Sequence, residues 1–498
     1  MVFPGPPTLL KLVSHVLVRD EGLNISALED LPSPLFLTLF KEANTQRKAK
    51  MIKILVEYWP YPCLHVGLLI NKPNFQTFQA ILDGVDTWLK RKYRTRMCRL
   101  QVVHLNEYHA SSAMQDGREG RDYLGETMLN KQVDLSRKTK QNQQTKKKQV
   151  EAGQSRCTTK RLRLFHDLSF MSSLHEDRHQ TQLLQWVKGR KDFLHLCCEK
   201  LGIGAIEWPK VRDVLQLLQP DSIKELELNT VGNLSKLAKF VPHISKMRTL
   251  QKLMLRRIFG TRTYTQEEKR NVTKIISLFP KLSSLQHLTI DDVYFLTDNM
   301  KELFSCLKTP LETLSIADCP GLIQSDFEYL PHCLNIRKLK HLNLNGLFLS
   351  DIGYELLGLI LEKVTSTLQI LELEECEMTD SHFEPLLPVL SQCSQLLKVN
   401  FYHNDISLPV LKNLLCHTAK LSQLTEELYP APLECYEGSK ILKHRFKQLC
   451  PELLEILRAQ KQPKKVSIST RNCWVCFHSC QYYYNLEATD WLFQCICK

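Results

Sequence analysis

The residues of this sequence that are best suited to chemistry are cysteines close to its C-terminal end. Four of them fall into two closely spaced pairs: Cys473 and Cys476, then Cys495 and Cys497. Thiolates in pairs of this kind are preferred ligands of Zn²⁺ in tetrahedral structural sites. We therefore predict a structural zinc site at these four residues, with a reduced, unstructured tail as the alternative. The competing ligands in the same segment are His478 and Cys480.

No catalytic arrangement is found in the rest of the sequence. The motif G-x-S-x-G and the Walker-type glycine loop are absent, and no cysteine or histidine is marked out as a nucleophile. The 18 cysteines are scattered over 498 residues, many of them within apolar patterns. Such scattering indicates buried, reduced thiols instead of a secreted disulfide framework. We therefore expect an intracellular protein that is not an enzyme and needs no cofactor beyond the candidate zinc.

The positive charge of the chain is concentrated in one segment. The formal net charge is +13, and Ser111–Arg163 contains 13 Lys or Arg against 6 Asp or Glu, a local charge of +7. We interpret residues 111–160 as a basic disordered linker, either simply solvated or carrying a nuclear-localisation signal. Nucleic acid is not an expected partner, because the segment lacks interleaved aromatic residues. No apolar run approaches the roughly 20 residues of a membrane-spanning helix, so we expect a soluble protein.

A six-residue pattern, apolar-x-x-apolar-x-apolar, recurs through the second half of the chain. Its copies begin at Ile223, Leu250, Leu285, Leu311, Leu339, Leu368 and Leu396. Successive copies lie 26 to 29 residues apart, except for one interval of 35, a spacing typical of leucine-rich repeats. Each copy predicts a short strand followed by a helix. We therefore predict an α/β fold: a leucine-rich-repeat solenoid, a horseshoe of ribonuclease-inhibitor-like repeats, whose concave face binds a protein.

The N-terminal part of the chain reads as mostly helical. Apolar residues recur at spacings of three and four from Leu9 to Val18 and from Met51 to Tyr58, and prolines separate these segments. The alternating segment Leu100–Leu105 predicts a short strand. We expect four regions: a helical region at 1–110, the basic linker at 111–160, the repeat domain at 161–430, and a C-terminal cap with the cysteine-rich tail at 431–498.

Several segments together resemble one known family, the PRAME family. They are Leu9–Leu12, Val18–Glu21, Ala27–Pro32, Trp59–Pro60, Leu82–Asp86, Leu194–Cys198 and Leu428–Glu434. The resemblance covers almost the whole chain outside the linker. It implies a leucine-rich-repeat protein of germ line and tumours, found in cytoplasm and nucleus, with links to transcriptional repression, proliferation and blocked differentiation. Several members of the family act as substrate receptors of cullin-2 ubiquitin ligases.

This implication directs attention to two motifs near the N-terminus. An elongin-binding box has Ser, Thr or Pro, then Leu, a Cys four residues later and an aliphatic residue after four more. Thr8, Leu9, Val13 and Leu17 follow this spacing, with Val13 in place of the usual Cys. The last three lie on one helical face, as in helices that bind in a hydrophobic groove. The alternative is an amphipathic helix that packs within the fold.

The second motif is a cullin-box pattern. It begins with an apolar residue followed by Pro, and further apolar residues stand four and eight positions after the first one. Leu31, Pro32, Leu35 and Leu39 match it at every position. From the two motifs in tandem we predict the substrate-recognition subunit of a cullin-2 RING ubiquitin ligase, with elongin B/C and cullin-2 as partners. A transcriptional corepressor or scaffold that degrades nothing is the alternative.

Overall fold

A computed structural model gives the structure of the chain. It describes residues 9–19, 31–70, 72–91, 100–107, 161–171, 177–260, 265–319, 321–349, 353–438, 440–458, 465–471, 481–485 and 490–494. The chain divides into two compact units. The first contains residues 1–168, 174–199 and 212–219, and the second contains 169–173, 200–211 and 220–498. No helix in the described part of the chain has the length and apolar character needed to cross a membrane.

Up to residue 219 the structure alternates helices with short strands. The helices are α1 Leu9–Arg19, α2 Ser33–Thr45, α3 Ala49–Glu57, α4 Val66–Leu69, α5 Phe75–Lys90, α6 Arg178–Lys188 and α7 Trp208–Leu215. The strands are β1 Cys63–His65, β2 Val102–Glu107, β3 Leu162–Phe165, β4 Leu168–Phe170, β5 Leu194–Cys197 and β6 Lys200–Ile203. The predicted helices, the proline breaks between them and the predicted strand are therefore confirmed to within two residues.

The first unit combines helices α1 to α6 with a four-stranded parallel sheet in the order β1-β2-β3-β5. The inward side chains of three aligned strands, Leu64, Val103 and Leu164, are fully buried. Helices α3 and α5 approach so closely at Gly84 that a β-carbon there would lie 2.6 Å from the carbonyl oxygen of Lys53. This glycine is required by the contact between the two helices.

Beyond residue 219 strands and helices alternate regularly. The strands are β7 Glu225–Asn233, β8 Lys252–Phe259, β9 His287–Val293, β10 Thr313–Ala317, β11 His341–Asn343, β12 Ile370–Glu372, β13 Lys398–Asn400, β14 Glu426–Pro430, β15 Tyr436–Glu437, β16 Lys440–Ile441, β17 Lys465–Ser469, β18 Gln481–Asn485 and β19 Asp490–Gln494. The helices are α8 Leu234–Ile244, α9 Gln266–Ile276, α10 Met300–Cys306, α11 Gln324–Phe327, α12 Tyr354–Glu362, α13 Asp380–Leu390, α14 Leu408–Thr418 and α15 Lys443–Arg458.

The second unit is a leucine-rich-repeat solenoid. Its sheet has the order β19-β18-β17-β14-β13-β12-β11-β10-β9-β8-β7-β6-β4. Each of the seven predicted repeat copies contributes one strand, from β7 to β13, and each of these is parallel to its neighbours. The repeat leucines stack in register, as Leu342 and Leu371 do, and both are buried. The predicted fold class is confirmed.

The predicted boundaries of the repeat domain, 161–430, do not coincide with the division into units. At the N-terminal side, β3 and β5 pair with strands of the first unit's sheet. At the C-terminal side, β17 extends the repeat sheet in parallel beside β14. In both places backbone hydrogen bonds between strands decide to which sheet a strand belongs. The leucine spacing of the sequence contains no information on this pairing.

A buried asparagine closes the turn between two repeats. The side chain of Asn404 donates to the carbonyl oxygens of Leu373 at 2.7 Å and Phe401 at 3.0 Å. Its Oδ1 accepts from the backbone nitrogens of Cys376 at 3.1 Å and Met378 at 3.0 Å. One side chain thus satisfies four backbone groups that the turn would otherwise bury without partners.

Candidate functional site

Helix α1 has one packed face and one exposed face. Ser14 and Val18 are buried, and α1 packs against α2 on this side. The elongin-box residues lie elsewhere: Leu9 is 77% exposed and Val13 42% exposed, while Leu17 is half-buried. Thr8 lies outside the described residues. The structure therefore presents two of the three described box residues to solvent.

The exposed face of α1 contains apolar residues that the box motif does not include. Leu12 is 50% exposed and Val16 63% exposed. At about 100° per residue, Val16 lies only about 20° around the helix from Leu9, whereas Leu17 lies about 80° away. We call Leu9, Leu12, Val13 and Val16 the α1 stripe. Sequence reasoning missed Leu12 and Val16, although their i, i+3, i+7 spacing was a signal.

The cullin-box residues divide between surface and core. Pro32 is exposed, and Leu31 and Leu35 are half-buried, at the point where α2 begins. Leu39, one turn further along α2, is fully buried. It is accompanied in the core by Phe36 and Phe40, whose rings contact Trp59 with centroids 6.5 and 5.7 Å apart. The N-terminal end of the motif is thus accessible, and its last residue belongs to the interior of the first unit.

In the second unit the strands present alternate side chains, half-buried or buried, to one face of the sheet, which we call the repeat face. Two rows of aligned residues define it. The first row is His287, Thr313, His341, Ile370 and Lys398, and the second is Thr289, Ser315, Asn343, Glu372 and Asn400. Most of these side chains are polar. The repeat face is therefore suited to a partner that forms hydrogen bonds and ion pairs.

Two carboxylates organise the charge on the repeat face. Glu372 accepts from His341 Nε2 at 3.1 Å and from Lys398 Nζ at 3.2 Å. The hydrogen bond from His341 is the main reason that the pKa of Glu372 is lowered. Glu374 contacts His403 Nδ1 at 3.3 Å, and the hydrogen bond with this histidine likewise lowers its pKa. Both glutamates are therefore held in the ionised form.

The predicted zinc ligands Cys473, Cys476, Cys495 and Cys497 lie outside the described residues. Within the described residues, no three side chains of metal-binding type come together. The buried thiols there instead serve as weak donors, as Cys319 does to the carbonyl oxygen of Ile290 at 3.7 Å. Burial raises the pKa of Cys319 to about 12, so this thiol stays protonated and is a poor nucleophile.

Comparison with known proteins gives matches over both units. The model of the PRAME N-terminal domain matches residues 6–111, and the model of the PRAME C-terminal domain matches residues 162–493. The chain belongs to the PRAME family. The resemblance seen in the sequence is thereby confirmed.

PRAME-family relatives match along almost the whole chain. "Preferentially expressed antigen in melanoma-like protein 7" of Mus musculus is 56% identical and covers 99% of each chain. Oogenesin-3 of Mus musculus is 40% identical and covers 95% of this chain and 91% of its own. "PRAME family member 20" of Homo sapiens is 36% identical, with 97% and 98% covered. The similarity to these relatives therefore extends through both units.

One solved structure aligns with most of the chain at low similarity. It is the yeast complex of Rad7 and Elc1, which covers 84% of this chain and 87% of the matched chain at 11% identity and a TM-score of 0.42. A likeness this weak establishes neither a shared fold nor a shared function.

Proposed function

We propose that this PRAME-family chain is the substrate-recognition subunit of a cullin-2 RING ubiquitin ligase. The α1 stripe binds elongin B/C, the exposed start of α2 at Leu31, Pro32 and Leu35 contacts cullin-2, and the repeat face selects a protein for ubiquitin-dependent proteasomal degradation. The observation that carries the proposal is the α1 stripe. A helix with one face packed and a contiguous apolar face exposed is ready to bind in a hydrophobic groove.

In this role the chain performs no chemistry of its own. It holds a substrate near catalytic subunits supplied by the rest of the ligase, which is consistent with a sequence that lacks the G-x-S-x-G motif and the Walker-type glycine loop. Removal of its substrates would account for effects on transcription, proliferation, differentiation and apoptosis. We place the complex in cytoplasm and nucleus, where the ligase components and regulatory substrates of this kind would meet.

The second candidate function is a transcriptional corepressor or interaction scaffold that degrades nothing. The polar repeat face favours protein binding under either function, so it does not separate the two. Association with elongin and cullin does separate them, because the corepressor has no use for the α1 stripe.

Affinity purification from cells tests the proposal directly. We compare the wild-type chain with the variant Leu9→Ser/Leu35→Ser and quantify elongin B/C, cullin-2 and other recovered proteins. A matched control, Leu334→Ser/Leu359→Ser, changes two leucines that are 66% and 45% exposed outside both motifs. We expect both ligase components to disappear only in the first variant, while a candidate substrate becomes more abundant. Recovery of neither component with the wild type would favour the scaffold.

We propose in addition that the cysteine-rich tail holds one structural zinc ion through Cys473, Cys476, Cys495 and Cys497. Paired thiolates are suited to this ion. Metal analysis of the purified chain is expected to find about one zinc per molecule, and Cys473→Ser should lower that content. A metal-free wild-type protein would contradict the zinc site.

A further inference from the structure

Acidic residues are concentrated at the strand ends on one side of the repeat sheet, although the net charge of the chain is +13. They lie in the last residues of β9 and directly after β10 and β12, and β11 is between β10 and β12 in the sheet. We call this set the acidic rim: Asp291, Asp292, Asp318, Glu374, Glu375 and Glu377. The local charge is therefore opposite to that of the protein as a whole.

The rim carboxylates lie close together and are only partly neutralised. Burial raises the pKa of Asp318, and neighbouring carboxylates, among them Asp291 and Glu375, raise it further. Asp291 contacts Arg256 at 3.6 Å, and Glu374 contacts a histidine. No described basic residue forms an ion pair with the other four rim residues. The rim therefore retains negative charge that a partner can meet.

Two rim carboxylates belong to residues with a left-handed backbone. Asp318 and Glu375 follow the repeat-face residues of their strands and have φ angles of 51° and 57°. The equivalent position of the β11 repeat is Gly346, with φ 67°. The Asp318 carboxylate occupies the space that a β-carbon at Gly346 would need. Gly346 thus makes room for a rim carboxylate of the adjacent repeat.

Exposed phenylalanines accompany the carboxylates. Phe348, two residues beyond Gly346, is 51% exposed, and Phe259 at the end of β8 is 53% exposed. Large apolar side chains left in solvent beside a charged surface are typical of protein-binding sites. Carboxylates pair with guanidinium and ammonium groups, and aromatic rings attract the same cations. Both kinds of side chain favour a partner rich in Arg or Lys.

We propose that the acidic rim, together with Phe348 and Phe259, binds an extended Arg- or Lys-rich segment of a partner protein. Three strand spacings separate β9 from β12, about 14 Å, which matches four or five residues of extended peptide. The inference deepens the proposed function and rests on its use of the repeat sheet for recognition: it assigns the charge of the substrate segment.

Fluorescence anisotropy of the full chain with a labelled (Arg-Gly)5 peptide tests this proposal, with (Glu-Gly)5 as the charge-reversed probe. The rim variant is Asp292→Asn/Asp318→Asn/Glu375→Gln, in which asparagine tolerates the left-handed backbone. The control variant is Glu302→Gln/Glu362→Gln/Glu384→Gln, which removes the same charge from exposed positions on α10, α12 and α13.

Each exposed ion pair contributes about two- to threefold in affinity, so the rim variant should bind (Arg-Gly)5 about tenfold more weakly and the control less than twofold. Phe348→Leu, which keeps an apolar side chain but removes the ring, should weaken binding about threefold. Equal losses in the rim and control variants, or equal binding of both peptides by the wild type, would overturn the proposal. Elongin B/C binding should be unchanged in the rim variant, so a wild type that binds the peptide but no elongin would refute only the ligase function.

Discussion

The α1 stripe allows binding and folding to be perturbed separately. In the variant Leu9→Ala/Val16→Ala, both changed side chains lie on the exposed face, 77% and 63% exposed. Complete burial of such a side chain contributes roughly 1.5–3 kcal/mol. Burial of the exposed fractions in a partner groove therefore contributes about 2–4 kcal/mol for the pair. We expect elongin B/C to bind about 30- to 700-fold more weakly, at about 1.4 kcal/mol per tenfold change.

The same variant should leave the fold intact, because exposed substitutions change the free energy of unfolding by about 0.5 kcal/mol or less. Val18→Ala is the complementary change on the buried face, where Val18 is 1% exposed. It should lower the free energy of unfolding by about 1–3 kcal/mol and leave the α1 stripe in place. Isothermal titration calorimetry with purified elongin B/C and urea denaturation measure the two quantities. Undiminished binding by Leu9→Ala/Val16→Ala would refute the assignment of the stripe.

Three further predictions concern the units themselves. Gly84→Ala should destabilise the chain by about 1–3 kcal/mol through the contact between α3 and α5, although alanine favours helix. The control Gly189→Ala, with no neighbour closer than 4.0 Å, should be nearly neutral. Urea denaturation measures both variants. Asn404→Ala should lower the free energy of unfolding by about 3 kcal/mol or more, because four backbone groups lose their partner; a loss below about 1 kcal/mol would contradict the role of this side chain. The pKa of Glu372 is lower in the folded chain than its ordinary value of 4.5, so the stability it contributes is present above about pH 4.5 and is lost as pH falls through the folded pKa. Glu372→Gln should therefore flatten the acid limb of a stability profile between about pH 2 and 5, and an unchanged slope would show that its ion pairs contribute nothing.

The repeat strands were predictable because their apolar residues recur with a fixed spacing. Leu371 and Leu373 must face the core together, and a strand is the structure in which residues two apart do so. The strand β17 was not predictable in this way. Val466 and Ile468 alternate correctly, but the segment lacks the preceding leucine that completes the repeat pattern. Its place beside β14 depends on backbone pairing, which no spacing of side chains records.

For the candidate site, the box motif selected residues that lie only partly on the apolar face that α1 exposes. A spacing of four residues selected Leu9, Val13 and Leu17, but a helix with 3.6 residues per turn drifts away from that line. Val16 takes the position nearest Leu9, and Leu17 turns toward the packed side. The motif also could not predict that Leu39, the last cullin-box residue, is buried. The packing of Phe36 and Phe40 against Trp59 shows where the core lies.

The two predicted docking motifs consequently differ in kind. The α1 stripe consists of side chains that are 42% to 77% exposed, so substitutions there should cost little folding free energy. Leu39 instead packs in the core with 0% exposure, so its truncation would lower the free energy of unfolding as well as weaken any cullin contact made by α2. Substitution of Leu39 therefore cannot distinguish binding from stability. Only Leu31, Pro32 and Leu35, which remain accessible, can report on cullin association by itself.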